Sequence, residues 1–143
     1  MENTSRRDFI KKVTATGLGM TLGGMSLSAK SYANIVGSNE RFQVAVMGTN
    51  GRGAGMARNF QNIKEVNMMY VCELEDKAMA KGLAAVQRAG GDAKAEKDIR
   101  KVLADKNVDA LLVTAPDHWH APATIMACQA GKHVYVEKPC SHN

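Results

Sequence analysis

Three groups of residues in this chain have the types and spacing to do chemistry. The first is the turn Gly48-Thr49-Asn50-Gly51-Arg52-Gly53. It separates a short apolar run, Val44 to Met47, from Gly53, Met56, Ala57 and Phe60 at helical spacing, so it reads as strand, tight turn and helix. A helix N-terminus leaves backbone N–H groups unpaired and carries partial positive charge, and a turn bare of side chains lets a pyrophosphate approach both. Against the spacing G-x-G-x-x-G the positions are Gly48, Asn50 and Gly53, with asparagine at the middle glycine and Gly51 beside it. Asparagine tolerates a left-handed backbone better than most residues, provided its side chain turns away from the phosphates. On the turn alone, close helix–strand packing in a protein that binds nothing is the competing reading.

The second group is a single acid. Glu73 ends the apolar run Val66 to Cys72 and lies 20 residues after Gly53, where a carboxylate holds the ribose hydroxyls of a bound dinucleotide. A negative charge there repels a 2′-phosphate and favours NAD over NADP. Arg52 has the reach to meet either the pyrophosphate or a 2′-phosphate, so NADP stays open.

The third group sits at two later strand ends, Thr114-Ala115-Pro116-Asp117-His118-Trp119-His120 and Glu137-Lys138-Pro139. Two histidines and an acid suggest a metal, but His118 and His120 are two apart at a helix start rather than i, i+4, and no further ligands follow. No metal site is expected. Asp117 capping the helix with Trp119 packing, and His120 contacting nicotinamide or substrate, are the two readings that remain. Lys138 could face the nicotinamide, where its charge would steady an alkoxide and lower the pKa of a substrate hydroxyl; an ordinary surface lysine is the alternative. A Lys-Pro bond adopts cis far more readily than other peptide bonds.

The elements that must position these groups alternate. After the strand at Val66 to Cys72, a helix is expected over Leu74 to Ala89 with Met79, Leu83 and Val86 on one face, stopping at Gly90-Gly91. A short helix follows over Asp98 to Lys106, then a strand over Asp109 to Thr114, continuous in apolar residues as in a buried parallel sheet. A helix from about His118 to Ala130 puts Ala121, Ile125 and Cys128 inward and Pro122 in its first turn, and His133 to Val136 is a last strand. The expected fold is α/β, a Rossmann-type doubly wound parallel sheet. Gly48, Glu73, Thr114 to His118 and Glu137 to Pro139 then all stand at strand carboxyl ends, where such sheets bind ligands.

The 143 residues, 45% apolar and 23% charged, suit one soluble globular domain. Of the net charge of +5, residues 1–33 supply +3 through Arg6, Arg7, Lys11, Lys12 and Lys30 against Glu2 and Asp8. No basic stripe interleaved with aromatics is left, which argues against nucleic acid. Cys72, Cys128 and Cys140 have neither disulfide nor metal spacing and read as buried or free thiols. Ser5-Arg6-Arg7-Asp8-Phe9-Ile10-Lys11-Lys12, a weakly apolar stretch from Val13 to Leu27 and the small-x-small Ser31-Tyr32-Ala33 resemble a twin-arginine export signal. The expectation is a signal at 1–33, a linker at 34–40, a nucleotide-binding domain at 41–143, the twin-arginine export machinery as a partner, and a periplasmic destination.

Together, Val-Ala-Val-Met-Gly-Thr-Asn-Gly-Arg-Gly, Thr-Ala-Pro-Asp-His-Trp-His and Gly-Lys-His-Val-Tyr-Val-Glu-Lys-Pro resemble the N-terminal domain of the Gfo/Idh/MocA oxidoreductases over about residues 40–143. The resemblance implies NAD(P)-dependent dehydrogenation of a sugar, inositol or related polyol, with Lys138 as the catalytic or substrate-polarising residue. It implies a cofactor set of Gly48, Thr49, Asn50, Gly51, Arg52, Gly53, Glu73, Thr114, Pro116, His120 and Glu137, with Thr114, Pro116 and His120 on the nicotinamide side. A homo-oligomer is compatible with it. The chain stops at Asn143, short of the family's last strand and its C-terminal substrate domain, so the expectation is a fragment whose sheet is incomplete at its C-terminal edge and which turns over nothing alone. Two other functions stay in view: an NAD-dependent glycosidase acting by transient oxidation and elimination, a group whose members often lack the lysine, and a non-catalytic nucleotide-binding module.

Overall fold

A computed structural model describes residues 41–141; the expected signal and linker lie outside the described residues. Apolar runs make the strands. Phe42–Met47 is β1, Val66–Cys72 is β2, Ala110–Val113 is β4 and His133–Val136 is β5. With β3 at Lys94–Glu96, all pairings are parallel and the sheet order is β3-β2-β1-β4-β5. Strand β3 is an element the sequence pattern does not announce. Three residues with two exposed side chains carry no apolar periodicity.

Helices cover both faces. Helix α1, Arg52–Gln61, and α2, Asp76–Arg88, enclose a core with Val44, Val46, Val66, Met68, Ala110 and Leu112, to which Ala57, Met79 and Val86 contribute. On the other face α3, Ile99–Ala104, and α4, His120–Gln129, pack Ile99, Val102, Leu103, Ala123 and Ala127 against Ala45, Leu111 and Val113. Strand β4 is buried along its whole length, as a parallel strand covered on both sides must be. This is the doubly wound sheet that the alternation predicts.

Some element starts, and one helix face, differ from expectation. Helix α2 begins at Asp76 with Glu75 at its cap, leaving Leu74 in the preceding turn. A 3₁₀ turn, Asp117–Trp119, precedes α4, and no side chain caps α4, so Asp117 does not act as its cap. The inward face of α4 is His120, Ala123 and Ala127, not Ala121, Ile125 and Cys128; Ile125 is 56% exposed and Cys128 is exposed. Small alanines let this helix lie close to the sheet, and the burial of His120 sets its rotation. Strand β5 pairs with β4 alone, an open edge on the C-terminal side of the described residues.

Chain order runs outward from β1 through β2 to β3, then returns across β1 to β4 and β5. The connections after β1 and β4 therefore leave in opposite directions. A crevice opens there at the strand carboxyl ends.

Candidate nucleotide-binding site

Two glycines in the turn are demanded by its geometry. Gly48 has φ +90°, and a Cβ there would meet the backbone of Ala115 at 2.5 Å. A Cβ at Gly53 would overlap the Gly48 carbonyl and the Thr114 hydroxyl, so α1 lies directly against the turn. Gly51 is different: nothing stands within 4 Å of where its Cβ would be. Asn50 is exposed and no non-glycine residue among those described has positive φ, so asparagine's tolerance of the left-handed region is not used. Its carbonyl accepts from Lys81 Nζ.

The amino end of α1 has no side-chain cap and no acid in its first turn. With no side chain competing for its first N–H groups and open space where a Gly51 side chain would begin, this helix start has the character of an anion site suited to a pyrophosphate. Thr49 turns the other way. Its buried hydroxyl donates to Ala78 O at 2.7 Å, fastening α2 to the turn rather than facing a ligand. Thr114 braces the same turn, its one hydroxyl proton shared between Gly48 O at 2.5 Å and Met47 O at 3.1 Å.

Glu73 is held in place by backbone. Its Oε2 accepts from Thr49 N at 2.8 Å and its Oε1 from Leu74 N at 2.8 Å and Glu75 N at 3.3 Å. With Oε1 accepting twice and Oε2 once, of about four lone-pair sites the one left for a ribose hydroxyl is on Oε2. Arg52 leans away from this acid, pairing through Nε with Glu137 Oε2 at 3.2 Å. As placed, Arg52 and Glu137 join α1 to the end of β5 on the side of the crevice opposite Glu73. Arg52 is thus not placed to receive a 2′-phosphate.

Between the ends of β1, β2, β3 and β4 lies a cleft of about 810 Å³. Gly48, Glu73, Pro116 and Trp119 line it, and so do Leu74, Lys97, Arg100 and Met126, which the motif spacing does not single out. Pro116 therefore stands with Glu73. The cations at this cleft have acidic partners: Lys97 with Asp76 at 2.6 Å, Arg100 with Asp98 at 2.8 Å and Lys101 with Glu96 at 3.7 Å. The Arg100 side chain bonded to Asp98, helped by the Arg100 backbone N–H, brings that carboxyl down to about 2. Beneath, Cys72 is 3% exposed. Burial first, then the negative charges of Glu96, Glu73 and Asp98, pushes its thiol up to about 12.

His120 corrects an expectation. It is 2% exposed, with Nδ1 2.6 Å from Pro139 O and Nε2 2.8 Å from Ala115 O. With both ring nitrogens engaged by backbone, it ties the loop after β4 to the turn after β5 and presents nothing to a nicotinamide. Just beyond β5, Lys138 is exposed, and its ammonium makes no ion pair or hydrogen bond among the described residues. The Lys138–Pro139 bond is cis. Among the described residues no group of three or more His, Cys, Asp or Glu is placed to hold a metal.

Residues 42–143 match the Gfo/Idh/MocA family, an oxidoreductase family with an NAD-binding Rossmann fold. The chain belongs to that family. A glycosyl hydrolase family 109 protein of Solibacter usitatus is 31% identical, the alignment taking in 99% of this chain and 34% of the relative. Among solved structures, an NAD-binding protein from Listeria innocua is 29% identical with a TM-score of 0.61, covering 71% of this chain and 28% of that one. Myo-inositol 2-dehydrogenase from Lactobacillus plantarum is 25% identical with a TM-score of 0.63, covering 72% and 30% respectively. The chain spans about a third of the length of the curated relatives it matches. Its cofactor is a nicotinamide dinucleotide, as in the family, and the uncapped turn with Glu73 is the part of the chain that fits one.

Proposed function

We propose that this domain serves an enzyme that oxidises a secondary alcohol on a sugar, inositol or related polyol, using NAD in preference to NADP. The observation that carries the reading is the crevice itself. An uncapped helix start, an acid fixed by three backbone N–H groups and a lysine with no ionic partner among the described residues share one edge of the sheet. When bound, the dinucleotide supplies the hydride acceptor. Backbone N–H groups of α1 hold its phosphates and Glu73 its adenosine ribose. Lys138 steadies the negative charge that develops on the substrate oxygen and eases removal of its proton. The test is NADH formation by the protein at its native full length with a panel of polyols. Lys138→Ala should lower kcat/KM by about 100-fold or more; equal rates would remove Lys138 from the chemistry.

The Solibacter relative's name favours a second reading, glycoside cleavage through transient oxidation. It shares the first step. Accumulation of NADH with a free polyol supports the dehydrogenase; release of a sugar without net NADH supports the glycosidase.

We also propose that residues 1–33 direct twin-arginine export to the periplasm. Arg6, Arg7 and Phe9 motivate this, and the alignment spanning 99% of the chain extends into that stretch. Residues 1–40 fused to a folded reporter should export it, and Arg6→Lys with Arg7→Lys should retain it in the cytoplasm.

A further inference from the structure

Lys138, whose side chain is exposed, lies between two residues that are tied down. On one side Glu137 donates its backbone N–H to Val113 O at 3.1 Å and holds Arg52 through its carboxylate. On the other, Pro139 has no N–H to give, so what can be held of its backbone is the carbonyl, and that meets His120 Nδ1 at 2.6 Å.

The second ring nitrogen, Nε2, lies 2.8 Å from Ala115 O. Ala115 is the residue whose backbone a Cβ at Gly48 would strike, so it backs directly onto the nucleotide turn. One ring therefore spans from the backbone behind that turn to the residue after Lys138. It is 2% exposed and opens α4, whose Ala123 and Ala127 are wholly buried against the sheet, which leaves it little freedom to move. A buried polar ring is costly unless its bonds are made, so filling space does not account for a histidine here. Carbonyl oxygens only accept: a neutral ring serves one of the two through its single N–H, and the doubly protonated ring serves both.

We propose that His120 is a positioning residue, which fixes the distance between the nucleotide turn and Lys138 and so aims the lysine at the substrate oxygen beside the cofactor. The inference rests on Lys138 acting in polyol oxidation, and it gives His120 no contact with cofactor or substrate. The experiment is a double-mutant cycle in the protein at its native full length. It follows NADH formation from NAD with myo-inositol or, where another polyol of the panel is oxidised faster, with that polyol, alongside the Kd for NADH.

His120→Phe should lower kcat on the order of 10- to 100-fold with the Kd for NADH unchanged, since a misplacement of about 1 Å at a reacting group costs that much. In a Lys138→Ala background the same substitution should cost less than about twofold, because its route to the chemistry is already gone. His120→Gln, which keeps a donor for one carbonyl, should recover part of the rate. Equal fold losses in the two backgrounds would reveal a general loosening of the fold and overturn the proposal. So would an unchanged kcat in His120→Phe, or a weakened Kd for NADH. If His120→Phe does not fold, His120→Gln carries the cycle; failure of both to fold would make His120 a support of the fold and not of Lys138. None of these results touches the role of Lys138, whereas undiminished turnover by Lys138→Ala, or no polyol oxidised at all, removes that role and the inference with it.

Discussion

One methyl group separates two glycines that stand two residues apart in α1. At Gly53 a Cβ would strike the Gly48 carbonyl and the Thr114 hydroxyl, whereas at Gly55 it would meet nothing within 4 Å. Overpacking a tight contact costs roughly 1–3 kcal/mol, while alanine for glycine in an open helical position stabilises by about 0.5–1 kcal/mol. Gly53→Ala should therefore lower the urea midpoint and displace the turn, and Gly55→Ala should raise the midpoint with nucleotide affinity intact. Equal effects from the two would mean that α1 does not press on the turn. Glu73 allows a charge test of the same kind. Glu73→Gln keeps an oxygen for the Thr49 N–H but removes the negative charge, and the preference for NADH over NADPH should shrink by roughly tenfold in paired titrations. An unchanged ratio would locate cofactor discrimination elsewhere.

Helix α3 shows how an element is set by its first residue. Asp98 stands at its N-cap, accepting from Arg100 N at 3.0 Å, and grips the Arg100 side chain through Nε at 2.9 Å and Nη2 at 2.8 Å. The folded carboxyl is brought down to about 2 from an ordinary 3.8. A depressed carboxyl stabilises the fold above its unfolded value and loses that contribution as pH falls through the folded one. Stability should thus decline between about pH 4 and pH 2, more steeply in the wild type than in Asp98→Asn, which keeps a capping oxygen but no charge. Parallel acid limbs in the two proteins would show the Arg100 pairing to be idle. Elements with a strong apolar pattern were legible: Val66–Cys72 and His133–Val136 are strands over the residues that the pattern marks. Helix α3 was legible from Ile99, Val102 and Leu103 on one face, though it starts at Ile99, with Asp98 as its cap rather than its first residue. Strand β3 was not, since Lys94 and Ala95 are exposed and its register comes from β2. The face of α4 was misread because the helix is apolar nearly all round, so periodicity cannot choose a side. Its choice depends on His120 reaching Pro139 O, 19 residues on, and Arg52 turns to Glu137 on another strand. Contacts between strand ends are tertiary, and spacing along the chain does not encode them.

For the molecule as a whole, the sheet carries one apolar core on each face, and the nucleotide site lies where the two meet at the strand ends. Cys72 sits at that junction. It belongs to the core under α3 and α4, lies next to Glu73 and lines the cleft. Its thiol is buried and pushed up from 9.0 to about 12, so at neutral pH it is protonated and shielded, and that contribution to stability is lost progressively as pH rises from the ordinary thiol value to the folded one. Cys128 and Cys140 are exposed. A thiol reagent added to the native chain should modify these two at once and Cys72 slowly, at the rate at which the fold opens. Ligand that binds only the folded state makes opening rarer: with NAD at about 100 times its Kd, labelling of Cys72 should slow about 100-fold, equivalent to about 2.7 kcal/mol, with the other two thiols unaffected. Three fast thiols would mean that the cleft breathes without unfolding. A slow Cys72 indifferent to NAD would sever the link between the cofactor site and the core beneath it, since a nucleotide seated over Gly51 and Glu73 must hold β1 and β2 together to be bound at all.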